Sequence, residues 1–377
     1  MIKQSHQCTG CGACLNICPF HAISMVKKNG YEYPIIDHSA CIQCNKCSKV
    51  CMLETKIETF KSREKYEFRM VSDDILNSSS GGFCYILSKS IIEKEGGIVY
   101  SAIFNKEKRA VEHVRIDSSD DIKKTRGSKY VKSNHYQVFS SIKSDLELGR
   151  TVLFIGLPCE NYGLISYLGK KYDNLYTVSL LCGGAVSNVY FAKYINELEL
   201  RLKNQISAIN FRNKKYGSSI LCTSVTFEDK KEKILSNSLD YFIPLEGSRF
   251  VRPSCHQCNF ALDNILGDFV VGDCFGGAER KKGVSVVATD LEQRVVTLLE
   301  KLNIVLVKNN NLIVSSRAIN NRKTRSIIPS EDEYKLFMDD CLIDLKKSVK
   351  KHIYKKYTPK QKIYRILPYS IKSIIVK

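Results

Sequence analysis

One cysteine pattern, written twice, limits what the N-terminus of this chain can fold into. Cys8, Cys11, Cys14 and Cys18 follow C-x2-C-x2-C-x3-C, with Pro19 directly after the fourth. Cys41, Cys44, Cys47 and Cys51 repeat the spacing, with Met52 in the proline's place. Three cysteines in so tight a loop wrap three corners of a cubic cluster, while the fourth starts a helix pointing away and reaches the other cluster. The pattern therefore assigns Cys8, Cys11, Cys14 and Cys51 to one [4Fe–4S] cluster and Cys41, Cys44, Cys47 and Cys18 to a second. Gly10 and Gly12 let the first loop bring backbone N–H groups close to the sulfides. Paired zinc knuckles also use C-x2-C, but four cysteines compressed into eleven residues and then duplicated fit zinc poorly. Met52 removes a rigid turn and no ligand. Residues 31–37 read as a hairpin strand and residues 55–69 as a charged linker, which sets a two-cluster ferredoxin-type domain at 1–60.

The chain has 377 residues, sixteen of them cysteine, and a formal net charge of +19. Apolar runs such as 151–157 and 284–288 fall far short of the roughly 20 residues that cross a bilayer. The first cysteine follows the N-terminus too soon for a signal peptide, so the expected compartment is cytoplasmic. There, so many thiols point to metal or redox chemistry rather than disulfides. The positive charge would attract acidic partners, nucleic acid or anionic lipid without choosing among them.

Beyond about residue 70 helices and strands alternate. Helices are expected at 83–95, 135–148, 161–171 and 188–203, a hairpin at 98–104 and 111–116, and buried strands at 151–156 and 175–181. This β–α–β–α order predicts a mixed α/β (α+β) body with its chemistry at the carboxyl rim of the sheet. Cys159 follows the first buried strand and Cys182 ends the second, while Cys255 and Cys258 form a C-x2-C pair in a proline-punctuated loop. Together the four are candidate ligands for a third [4Fe–4S] cluster. On spacing alone, a structural zinc site or ordinary core cysteines stay open. Cys84, Cys222, Cys274 and Cys341 have no such company and read as structural.

Six landmarks in order give the chain a resemblance to a known family: Ser78-Ser79-Ser80-Gly81-Gly82, Arg126-Gly127-Ser128-Lys129-Tyr130-Val131, Gly156-Leu157-Pro158-Cys159, Cys182-Gly183-Gly184, Arg252-Pro253-Ser254-Cys255-x-x-Cys258 and Gly272-Asp273-Cys274-Phe275-Gly276. Over roughly residues 5–300 it resembles the beta subunits of coenzyme F420 hydrogenase and dehydrogenase, in the form with a fused N-terminal ferredoxin. The resemblance implies an inner [4Fe–4S] cluster on Cys159, Cys182, Cys255 and Cys258, and bound FAD. It also implies a flavoprotein domain divided into an N-terminal part, 61–150, and a C-terminal part, 151–330, that carries cluster and flavin. The last landmark departs from the family in its second half, and the final eighty residues match nothing in it.

Read from the residues, Ser78, Ser79, Ser80, Gly81 and Gly82 precede a helix where hydroxyls and free N–H groups can hold phosphate or a flavin edge, although an ordinary serine cap explains them equally simply. Arg126, Ser128 and Lys129 suit the FAD pyrophosphate or a solvated basic loop. Asp273 suits a ribose or flavin hydrogen bond or a turn.

The expected activity is an iron–sulfur, flavin-dependent oxidoreductase that moves electrons between a redox protein such as ferredoxin and a hydride-accepting small molecule, in either direction. Glu160 and His256 are the candidate proton donors by position. The rival reading is an electron-transfer subunit that needs a larger catalytic partner. A zinc protein that binds nucleic acid draws only on the charge. Residues 331–377 read as a helix and a basic tail, whose last 32 residues hold eleven Lys or Arg and no Asp or Glu. The tail could contact an anionic membrane face or dock an acidic ferredoxin, or be a solvated end.

Overall fold

The computed structural model describes residues 6–54, 63–218, 220–235, 241–242, 250–258, 260, 265–274, 282–309, 312, 329–353 and 358–375. The second half of the last landmark, Phe275-Gly276, and the tail residues 354–357 lie outside them.

At the N-terminus, β1 (Ile23–Lys28) and β2 (Tyr31–Ile36) form the expected hairpin, paired from Ile23 with Ile36 to Lys28 with Tyr31. Two short helices, α1 (Ala13–Ile17) and α2 (Lys46–Lys49), follow the cysteine loops, each entered through a residue with left-handed backbone, Gly12 and Asn45.

The body is built on an eight-stranded sheet. Its centre is parallel: β4 (Ile98–Asn105), β6 (Val152–Gly156), β7 (Leu175–Leu180) and β11 (Phe269–Asp273) run side by side. β5 (Ala110–Ile116) closes one edge against β4, while β12 (Ser285–Thr289), β3 (Glu64–Phe68) and β13 (Val307–Lys308) extend the other, all antiparallel. β6 is buried at all five positions because helices cover both faces. Val152 and Phe154 pack under α4 (Val138–Glu147) and α5 (Pro158–Leu168), with Phe139 and Leu164. Leu153 and Ile155 pack under α3 (Phe83–Glu95) and α7 (Gln293–Leu302), with Leu87 and Leu298.

Three departures from the sequence reading have physical reasons. The linker expected at 55–69 is a strand from Glu64 to Phe68, because Tyr66 and Phe68 turn inward between charged neighbours that hide the two-residue period. α5 begins at Pro158 rather than Asn161. Proline is pre-organised for a first helical position, and Glu160 returns its carboxylate to the Leu157 N–H at 2.7 Å. α4 begins at Val138 rather than His135, since residues 131–134 run extended, Val131 bridging to Val186 and Asn134 to Glu112. That extended stretch delivers Lys132, Ser133 and His135 to the cysteine rim.

A second core surrounds α6 (Asn188–Leu202), a small sheet of β8 (Ile206–Asn210), β9 (Ser224–Phe227) and β10 (Glu232–Ile234), and the C-terminal helices α8 (Glu331–Ile343) and α9 (Leu345–His352). Tyr190, Phe191, Phe211 and Phe337 fill it. The basic tail folds back in part. Of α10 (Pro359–Ile366) and α11 (Tyr369–Ile375), the second lays Tyr369 on Tyr216 with ring centroids 5.9 Å apart, while Ile363 on the first stays exposed. Among the described residues no helix is long and apolar enough to cross a membrane.

Candidate metal centres and pocket

The twelve candidate ligands gather into three sets, and all sixteen cysteines are free thiols. Cys14 lies within electrostatic reach of Cys11, Cys8 and Cys51, the set that the spacing assigns to one cluster. Burial, reinforced by those neighbouring thiols, pushes the Cys14 thiol well up, and burial lifts Cys11 to about 11. Buried thiols crowded in this way are stabilised as thiolates by a cation among them, so the residues fit an iron–sulfur cluster. Cys18, Cys41, Cys44 and Cys47 line a second recess of about 410 Å³, open to solvent and bordered by Phe20 and Ile42. Cys44 is exposed there. Met52, in the proline position, accepts the Thr9 hydroxyl at 3.2 Å.

The third set comes from three separate stretches of chain. β6 and β7 pair in parallel up to Gly156 and Ser179, so Cys159 and Cys182 leave the sheet at one rim. The loop at 250–258 packs on the strand exit: the Arg252 N–H donates to the Ala185 carbonyl at 3.3 Å, and a Cβ on Gly184 would meet Val251 at 3.1 Å. This holds Cys255 and Cys258 against Cys182. Burial pushes the Cys182 thiol up, with Cys255, Cys159 and Cys258 adding to the effect. All four residues that the sequence singled out are therefore neighbours.

The first and third sets share a wall. Gly163 on α5 sits so close to the first loop that an added Cβ would lie 2.7 Å from the Cys11 Cβ and 3.1 Å from its Sγ. Met52, next to Cys51, packs in the same apolar cluster as Cys159 and Cys258. The His135 Nε2 is 2.8 Å from the Cys11 carbonyl, and Asn16 donates to the Tyr136 carbonyl at 2.7 Å.

Glu160, 1% exposed, is a fixed carboxylate rather than a proton donor. Burial favours its protonated form, but Lys132 at 2.7 Å, with His135 and His113, holds its pKa far below the usual carboxylate range. Ser133 donates to the same oxygen at 3.1 Å. His256, the other candidate, is buried, with Nε2 2.9 Å from the Tyr334 hydroxyl. Lys132 was not legible as a site residue, since one lysine in a basic stretch carries no periodic signal.

The flavin candidates separate into two groups. Ser80, in a left-handed conformation, donates to Asp273 at the carboxyl end of β11. Asp273 also accepts from Arg212 at 2.8 Å, and Arg212 donates to the Tyr130 hydroxyl at 2.9 Å. Ser80, Asp273, Arg212 and Ser218 line a recess of about 210 Å³. The Arg212 Nε is buried with no partner among the described residues, a free donor that suits an anionic or carbonyl ligand. Lys214 stands behind, donating to the carbonyls of Ile75 at 2.7 Å and Ser80 at 2.5 Å.

The other candidates are engaged by the chain itself. Ser78 donates to the Asp74 carbonyl at 3.0 Å, and Ser79 lies 2.9 Å from Ser128. Arg126 pairs with Asp74 at 2.9 Å and stacks on Tyr85. Lys129 donates to the carbonyls of Thr125 and Arg126, both at 2.7 Å, which staples its loop. Gly81 is a steric requirement, since a Cβ there would lie 2.0 Å from the Phe68 carbonyl oxygen, and Gly82 has φ +83°. Arg212 and Lys214 were not legible as partners of Asp273, because they stand about sixty residues before it.

Residues 149–308 match the sequence family described as the C terminus of the coenzyme F420 hydrogenase/dehydrogenase beta subunit. Residues 7–55 match the 4Fe–4S dicluster domain. The F-type subunit of the F(420)H(2) dehydrogenase of Methanosarcina mazei is 25% identical over 286 residues, which span 72% of this chain and 76% of the relative. A chain of the F420-reducing [NiFe] hydrogenase complex from Methanosarcina barkeri aligns with 78% of this chain and 95% of its own length, at 16% identity and a TM-score of 0.44.

Proposed function

We propose, for a chain that carries a 4Fe–4S dicluster domain ahead of the C-terminal domain of the coenzyme F420 hydrogenase/dehydrogenase beta subunits, an iron–sulfur flavoprotein oxidoreductase of the cytoplasm. Cys8, Cys11, Cys14 and Cys51 would hold a proximal cluster. Cys41, Cys44, Cys47 and Cys18 would hold a distal one, and Cys159, Cys182, Cys255 and Cys258 an inner one. FAD would take the recess at Ser80, Asp273 and Arg212, with a hydride-accepting small molecule beyond it. When bound, clusters supply one-electron steps and the flavin joins them to a two-electron step.

The observation that carries this reading is the shared wall at Gly163, which brings Cys11 against the helix that begins at Cys159. The chain's own residues order the route. The distal recess meets solvent, and Phe20 and Ile42 at its rim are 50% and 60% exposed, a surface suited to a redox protein such as ferredoxin. α5 holds the proximal and inner sets together. The carboxyl ends of β6, β7 and β11 put Cys159, Cys182 and Asp273 on one edge of the sheet. Anaerobic reduction of the purified chain by reduced ferredoxin is the test. Bleaching of the flavin near 450 nm is expected in the wild type and lost in Cys182→Ser.

A second reading has its own support, because the Methanosarcina mazei relative is named as a subunit. Here the chain would pass electrons within a larger oxidoreductase complex and turn over only with its partner. A flavin that stays oxidised until another subunit is added selects it. Membrane contact by the tail has weaker support, since Tyr369 and Lys372 are buried on the body.

A further inference from the structure

Two buried cations stand in the wall between the proximal and inner sulfur sets. Lys132 is 8% exposed, and its Nζ lies 2.7 Å from Glu160 Oε1 and 3.7 Å from Cys159 Sγ. Arg252 is 3% exposed. It donates through Nε to the Cys8 carbonyl at 2.8 Å and through Nη2 to the Glu32 carbonyl at 2.7 Å, with Nη2 3.9 Å from Cys8 Sγ. Its guanidinium also lies 4.6 Å from the Tyr33 ring centroid. Each cation therefore touches a candidate ligand sulfur of one set. Each field also crosses the wall, that of Lys132 to Cys11 and that of Arg252 to Cys159 and Cys255.

An ion pair that only neutralised Glu160 would leave little field at the sulfur. The arrangement is lopsided instead: at Cys159 the pull of Lys132 exceeds the push of Glu160. Glu160 turns its second oxygen away to the Leu157 N–H at 2.7 Å, where it caps α5. A net positive charge therefore faces Cys159 in a water-poor wall, where the effective dielectric is low and such a charge acts strongly.

We propose that Lys132 and Arg252 are positioning charges that set the reduction potentials on the two sides of this wall, Lys132 chiefly for the inner cluster and Arg252 chiefly for the proximal one. The inference rests on the reading that Cys159, Cys182, Cys255 and Cys258 hold a cluster. Each crossing moves one electron: one cluster is oxidised by one unit, the other is reduced by one, and no bond is made or broken. A reduced cluster carries one more negative charge, so a fixed cation beside its sulfur favours reduction, and charge near the sulfurs is a principal lever on such potentials. The two cations thus keep the proximal and inner potentials within reach of each other.

The test is an EPR-monitored redox titration of the anaerobically purified full chain, with iron counted in each preparation and the inner signal assigned by its loss in Cys182→Ser. Lys132→Met is expected to disfavour reduction of the inner cluster about tenfold, a midpoint lower by about 59 mV for one electron. Lys132→Arg should stay close to wild type. Glu160→Gln should move the inner midpoint upward, and the double variant Lys132→Met, Glu160→Gln should move it less than Lys132→Met alone. Arg252→Gln should lower the proximal midpoint more than the inner one. Fully loaded Lys132→Met with an unchanged inner midpoint overturns the inference. If Lys132→Met does not load, an unchanged midpoint in Glu160→Gln overturns it instead. A wild type with only about eight irons overturns the cluster reading itself, a distinct failure.

Discussion

The N-terminal module and the inner cysteine set reach the same kind of ligand arrangement by opposite routes. Eight cysteines at 8–18 and 41–51 are placed by two tight loops, so their geometry is local and nearly independent of the rest of the chain. The inner four span a hundred residues and meet only because β6 and β7 run parallel and the loop at 250–258 folds onto their exit. The distal recess is open to solvent, whereas the inner set sits beside buried charges. The first arrangement suits exchange with outside partners, and the second suits control of potential and exclusion of water.

Variants can break this comparison, beginning with the largest effect. Cys182→Ser and Cys14→Ser should each cost one cluster, about four of roughly twelve irons. The survivors differ: the proximal and distal EPR signals persist in the first, while the second keeps the distal signal and loses the proximal one. Disrupting the buried pair comes next. Glu160→Gln leaves Lys132 without its carboxylate and should lower the unfolding free energy by ~3–5 kcal/mol, read by anaerobic denaturant unfolding. The exposed pair Lys106–Glu228, 2.9 Å long, should give no measurable change when broken. Gly163→Ala tests the shared wall: its Cβ would overlap Cys11, and overpacking of this kind costs ~1–3 kcal/mol, with the proximal cluster released before the distal one. The smallest effect on stability belongs to Phe20→Ser with Ile42→Ser, within about 0.5 kcal/mol for surface changes. This pair should slow reduction by ferredoxin while leaving reduction by dithionite unchanged.

The same contrast explains what the sequence made legible. Spacing alone assigned all eight N-terminal ligands, because a local loop needs no knowledge of the fold. The inner four were found by a longer path: buried strands at 151–156 and 175–181 implied one rim, and cysteines stood at their ends. The groups between them were not found. Lys132 reaches Cys159 only because residues 131–134 run extended beside β5 where a helix was expected from His135. Arg212 meets Asp273 across the fold. Charged side chains carry no periodicity that reports a distant partner. β3 was missed for a related reason, as the charges of Glu64, Lys65 and Glu67 concealed the inward Tyr66 and Phe68.

Everything proposed for the body depends on a cluster of its own behind the ferredoxin module. Iron and flavin analysis of the anaerobically purified chain decides the matter. About twelve iron atoms and one flavin per chain are expected, whereas about eight iron atoms, as two four-iron clusters require, would refute the inner cluster.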